Sequence, residues 1–428
     1  MSKKTGVVVA LLGMCALSLF LASCGSSSSR PTGLLYVLSQ AENNVSSYAI
    51  DLNNGDLSLI TGNMPGTCPT APCGIPLSIS LDPTAATAFV LNQSSISGYT
   101  INSDGSLSAP TTSAPTTAAP VPMPMGPMLA MTRDVAGDFL FVISPGVLPS
   151  PTDCSTQTVT DQNCPSISVF STKPGSTTMT LASTSLLSRV PTALSVITFT
   201  PTGGSAETLL FVTSNLDLTT THNDNELSVY AVDSSGTLTE QPNSPYTTQV
   251  NPGAVLAVNT NPVGQTTGGV FVYVGSQGAV TGSVSEFQLC TQISSGTVSC
   301  TQPDVTNNLL LSVGTPFSVG MNPGAMLVDP TSSFLYIACT GSNAVYGFHM
   351  ITGTGLLNGL TPPSVPTGAT PVALAMHPNF NNGAEFLYVS NNTGSSITGF
   401  NVQVTTGTLS NPQTVLFLPG EPSGIAGH

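Results

Sequence analysis

Lysine and arginine together number six in 428 residues, histidine numbers four, and tryptophan is absent. With 20 acidic residues the formal charge is −14. A chain so short of cations cannot bind nucleic acid by neutralising phosphates, and no nucleic-acid partner is expected. Charged residues of both signs make up only 6%, yet after Leu21 the chain shows no long apolar run. Apolar residues instead alternate with Ser, Thr, Asn and Gly. That pattern describes a strand-rich protein with an uncharged polar surface; disorder would call for more net charge and fewer strand formers.

What is present is a repeat. An aromatic–aliphatic step recurs at Tyr36-Val37, Phe89-Val90, Phe141-Val142, Phe211-Val212, Tyr273-Val274, Tyr336-Ile337 and Tyr388-Val389. The spacings are 53, 52, 70, 62, 63 and 52, so a unit of about 52 residues accepts insertions. A second alternating strand follows each step, as in Val345 to Phe348 and Ile397 to Val402, and then usually a glycine turn such as Asp104-Gly105-Ser106-Leu107. Proline opens each unit: Pro76, Pro127, Pro191, Pro252, Pro323, Pro371 and Pro422. Proline at the first residue of a strand costs no ladder bond. Repeats of this length built from short strands mark a propeller. The first copy lacks its opening strand and the last has nothing after it. The expected fold is all-β: a seven-bladed propeller of four-stranded blades over residues 34–428, its ring closed by the C-terminal strand joining the N-terminal blade.

The unit Pro-x-x-apolar, Asp-Pro, Leu-Tyr-Val-x-Asn, Ile-x-x-Phe resembles that of the lactonase-type seven-bladed propellers, the family of 6-phosphogluconolactonase and YVTN-repeat proteins. The resemblance implies a lactone hydrolase with Pro-Arg-His or Pro-Arg steps at the channel mouth and further histidines nearby. Here the residues after the seven prolines are Leu77, Met128, Thr192, Gly253, Gly324, Val372 and Ser423. None takes a proton or holds a phosphate, whereas lactone hydrolysis needs a base for water and a stabiliser for the oxyanion.

Lys3 and Lys4 precede an apolar run from Val7 to Leu21, which reads as a signal segment and is too short for a confident membrane span. It ends in Leu21-Ala22-Ser23-Cys24, similar to the bacterial lipobox. Residues 1–23 are therefore expected to be a lipoprotein signal peptide, with Cys24 lipidated and residues 24–33 a Ser-rich tether. An ordinary secretory peptide cut near Ala22 to Ser23 is the alternative. Either places the protein in the bacterial cell envelope. The lipid anchor would hold it to a membrane, on the periplasmic or extracellular side of the outer membrane or cell surface. Removing the signal leaves four cations, Arg30, Arg133, Lys173 and Arg189, against the 20 acids, a formal −16.

An oxidising compartment allows three local disulfides, Cys68–Cys73, Cys154–Cys164 and Cys290–Cys300. The last pair lies symmetrically about Ser295-Gly296 and should face across a hairpin. No spacing completes four zinc ligands. Cys339 is expected to be a buried small hydrophobe.

Long inserts, at Thr61 to Gly74, Ala109 to Gly126, Pro145 to Pro165, Asn215 to Asn225 and Pro303 to Asn322, all fall on one face of such a ring. That face is where binding is expected. The tether enters from the other face. Near the mouth stand Arg189 and Glu421, an acid–base or binding pair or else ordinary rim charges. Asp217, His222 and Asp224 lie in an insert, a weak divalent-cation site or a solvated loop without calcium-loop spacing. Met123, Met125, Met128 and Met131 suit either Cu(I) or packing. The leading expectation is a monomeric, non-catalytic module that needs no cofactor and binds a small molecule or envelope protein through its long-loop face. The alternatives are a lactonase with a rearranged site and, more weakly, a periplasmic metal-binding propeller.

Overall fold

The aromatic–aliphatic steps form strands buried along their whole length, as in Leu34–Ser39, Thr87–Asn92, Phe334–Cys339 and Glu385–Asn391. Both faces of each such strand are covered, one by each neighbouring blade. A computed structural model of the chain describes residues 33–60, 64–67, 74–112, 128–147, 154, 163–200, 205–219, 225–260, 269–278, 280–292, 298–299, 308–377 and 385–428. These residues make seven antiparallel sheets and no helix.

The innermost strands are Pro422–Gly427, Pro76–Leu81, Ala130–Arg133, Arg189–Phe199, Pro252–Asn259, Pro323–Val328 and Pro371–Met376, for blades one to seven. Each touches the inner strands of both neighbours. Pro422–Gly427 pairs with Leu34–Ser39 in the register Val37↔Ile425, and His428 and Leu34 exchange backbone hydrogen bonds of 2.8 and 2.9 Å. The ring closes as the repeat predicts. Five blades are four-stranded, but the fourth and fifth are five-stranded. In the fifth blade, Pro303 to Asn322, expected as a loop, contains the strand Asn308–Val319, paired along Gly282–Gln292. Likewise Glu207–Asp217 runs into the expected insert at Asn215.

Seven hydrophobic clusters lie between adjacent blades, for instance Phe199, Phe211, Val229, Val272 and Phe287 between the fourth and fifth. Each fully buried large side chain contributes about 1.5–3 kcal/mol. A repeated hydrogen bond reinforces them. The hydroxyls of Tyr36, Tyr273, Tyr336 and Tyr388 donate to the carbonyls of Gly105, Gly355, Gly407 and Gly55, each in the turn of the next blade, at 3.1, 2.8, 2.7 and 2.9 Å. The glycine is required twice over. Gly55 has φ +80°, and a Cβ there would lie 2.5 Å from the Phe386 ring. Phenylalanine stands at the other three steps, and over Phe89 the Arg133 guanidinium sits 5.3 Å from the ring centroid.

The bond from Tyr388 to Gly55 joins the seventh blade to the first. Tyr388→Phe would strand a buried carbonyl, so a loss of about 1–3 kcal/mol is expected in denaturant unfolding. An unchanged midpoint would remove the latch from the forces holding the ring.

Candidate functional site

Much of the acidity is turn chemistry. Asp51, Asp82, Asp104, Asp217, Asp233 and Asp329 each accept the backbone N–H two residues on. Asp and Asn favour turns for that reason. Of these, Asp51, Asp104 and Asp233, together with Asp56 and Asp138, are exposed on the face where the inner strands end. Gly33, the first described residue, also lies on this turn face: a Cβ there would meet the His377 ring at 2.7 Å.

The opposite, insert face carries most of the exposed large hydrophobics among the described residues. Among the described residues, Met64, Ile75, Leu129, Val147, Val250, Val280, Met321 and Phe417 are exposed large hydrophobics at its rim, Val280 by 77% and Phe417 by 79%. Only Leu59, on an outer edge, and Val135, on the turn face, are exposed elsewhere. Scattered single exposures are ordinary, but eight of the ten among the described residues fall on this one face.

Arg189 opens the inner strand of the fourth blade, yet its side chain runs outward, away from the channel. Its Nε lies 2.5 Å from Glu226, on the third strand, and Nη1 lies 3.7 Å from Glu240, on the fourth. The expected reach of Arg189 into the channel mouth, and with it a pair with Glu421, is not what the geometry gives. Glu421 is exposed three blades away, its backbone carbonyl accepting the Gln40 N–H at 2.9 Å. The Arg189–Glu240 pair borders a cleft of about 250 Å³ between the third and fourth blades, lined by Ser185 to Arg189, Pro191, Val212, Ser214, Ser228, Tyr230, Leu238 and Glu240. Burial and the Glu240 charge push the Tyr230 hydroxyl up to about 12. Sequence reading missed Glu226, Glu240 and Tyr230. The one available signal was the scarcity of arginine, which makes the partner of Arg189 worth seeking.

Arg133 is the last residue of its inner strand and donates to the Gly137 carbonyl at 2.9 Å. Burial lowers its pKa, against the opposing charges of Asp82, Asp134 and Asp138. Lys173 is exposed in a turn. At the mouth, the Thr192 hydroxyl donates to the Pro252 carbonyl at 2.6 Å, tying the fourth blade to the fifth.

Asp217 accepts the Thr219 N–H and hydroxyl, both at 2.7 Å; His222 and Asp224 lie outside the described residues. No group of three or more His, Cys, Asp or Glu among the described residues is placed to hold a metal ion. Met128 and Met131 pack in the core with Phe89 and Phe170, while Met123 and Met125 lie outside the described residues. Cys154 and Cys164 form a disulfide with Cα atoms 5.7 Å apart. Cys290 is disulfide-bonded, and the register Thr291↔Ser299 is the one expected about Ser295-Gly296. Cys300, Cys68, Cys73 and residues 1–32 lie outside the described residues. Cys339 is free and buried.

The profile of the family described as "Lactonase, 7-bladed beta-propeller" matches residues 318–428. No curated protein matches the chain in sequence. Among solved structures, the periplasmic gluconolactonase of Pseudomonas aeruginosa is similar at 15% identity and TM-score 0.62, over 92% of this chain and 98% of that one. Two proteins provisionally assigned as 6-phosphogluconolactonases are also similar. That of Bacteroides uniformis has 10% identity and TM-score 0.61 over 92% and 99% of the two chains. That of Bacteroides fragilis has 12% and 0.58 over 92% and 98%. At these identities the likeness is one of fold.

Proposed function

We propose, for a chain that is a lactonase-type seven-bladed propeller, a binding role in the cell envelope exercised through the insert face. The observation that carries this reading is the apolar rim of that face, from Met64 to Phe417. Eight exposed hydrophobic side chains placed around one face suit contact with a macromolecule, since small ligands are held in concave pockets. The partner is an envelope protein. A lipid at Cys24, entering by way of Gly33 on the turn face, turns the apolar rim away from the membrane.

Catalysis lacks its parts among the described residues. Arg189 is paired with Glu226, Arg133 is packed between blades, and the positions after the prolines carry no base. An anionic lactone would also meet a net charge of −14. The rival reading, a lactonase with a rearranged site, is favoured only by the shared fold, which hosts many functions.

The mature domain is expected to leave gluconolactone and 6-phosphogluconolactone at background hydrolysis. A photocrosslinking residue at Val280 or Phe417 should trap one envelope protein in cells, and one at Val135 should trap none. Turnover that disappears in Arg189→Ala would overturn the binding reading in favour of the enzyme.

A further inference from the structure

We propose that the cleft between the third and fourth blades is a second binding site, for a neutral polyhydroxylated ligand the size of one hexose ring. Its volume of about 250 Å³ is just below the roughly 300–1,000 Å³ of pockets that hold drug-sized molecules, which suits a single ring. Charge selects the class. Arg189 already faces Glu226 at 2.5 Å and Glu240 at 3.7 Å, so an incoming anion must compete with two carboxylates in a chain of formal charge −14. A neutral ligand avoids that penalty.

The lining also has the right two-sidedness. Leu238 and Val212 offer an apolar wall to the C–H face of a pyranose. Ser214 and Ser228, each 3% exposed, bring hydroxyls to the same cleft. Arg189 Nη1 and Glu240 are held farther apart than a hydrogen bond, and a ligand hydroxyl can bridge them as donor to one and acceptor from the other. The Glu240 carboxylate is steadied by the Ser244 hydroxyl at 2.8 Å. This site is independent of the insert-face partner.

The test is titration calorimetry on the mature domain with glucose, galactose and mannose, and with glucose 6-phosphate as the anionic counterpart. At least one neutral hexose should bind saturably, and glucose 6-phosphate should bind at least about tenfold more weakly. Glu240→Gln, at a position 37% exposed, should keep the melting temperature and lose about tenfold in affinity, and Leu238→Trp should fill the cleft and abolish binding. Absence of saturable binding by all three hexoses, equal binding in both variants, or preference for a charged sugar would each overturn the assignment.

Discussion

A chain ending at Gly420 is expected to yield no soluble, cooperatively folding propeller. Only eight residues are lost, but Pro422–Gly427 is the inner strand of the first blade. Its removal frees the ladder edge of Leu34–Ser39 and the two bonds between Leu34 and His428. It also opens the contacts with the inner strands Pro76–Leu81 and Pro371–Met376 on either side. An open edge of fully buried sequence invites pairing with other chains. The expected loss exceeds about 4–5 kcal/mol, the range reserved for named structural failures. Circular dichroism and size exclusion read the outcome. A synthetic peptide of residues 420–428 should restore the monomer by strand addition, as sheet edges accept extended peptides. A truncated monomer with an unchanged melting curve would show that the closing strand is dispensable.

The ring was legible because its signal repeats: seven aromatic steps and seven prolines each vote for the same unit. What failed to show were features that depend on neighbours in space. Asn308–Val319 looks like loop because Gly314 and Pro316 interrupt it. The register shift between Val284 and Glu286 absorbs the interruption, with Gly314 at φ +68°. The cleft was invisible for a related reason. Arg189, Glu226 and Glu240 stand 37 and 14 residues apart in sequence, and only strand order brings them together. The aromatic step could be read as core, but the hydroxyls that distinguish Tyr36, Tyr273, Tyr336 and Tyr388 find their acceptors in the next blade. The apolar rim escaped notice because its members are single residues in separate loops.

Thermal stability is expected to fall as pH rises from about 4.5 to 7, the reverse of the usual carboxylate behaviour. Glu286 and Glu385 are each 2% exposed. Burial raises both from near 4.5 to about 7, helped at Glu385 by the charge of Asp329 and opposed at Glu286 by the Leu357 N–H, 3.2 Å from Oε1. A carboxyl whose folded pKa lies above its unfolded one binds its proton more tightly in the native state, so its stabilisation is complete below the unfolded value and is lost as pH climbs through the folded value. At about 1.4 kcal/mol for each pH unit between the two values, each group accounts for roughly 3 kcal/mol. Asp82 acts at the other end. Burial favours its neutral form, but hydrogen bonds from Thr84, Thr87 and Gly175 prevail and hold it at about 2, so its contribution is present above the ordinary value of 3.8 and lost on acidification through 2. The two trends place the maximum between pH 4 and 5. Melting temperatures from pH 3 to 8 in wild type and in Glu286→Gln with Glu385→Gln check the assignment. The double variant should flatten the limb above pH 4.5 and leave the acid limb in place. A wild-type curve that rises from pH 5 to 8 would mean that both carboxyls ionise in the fold without cost.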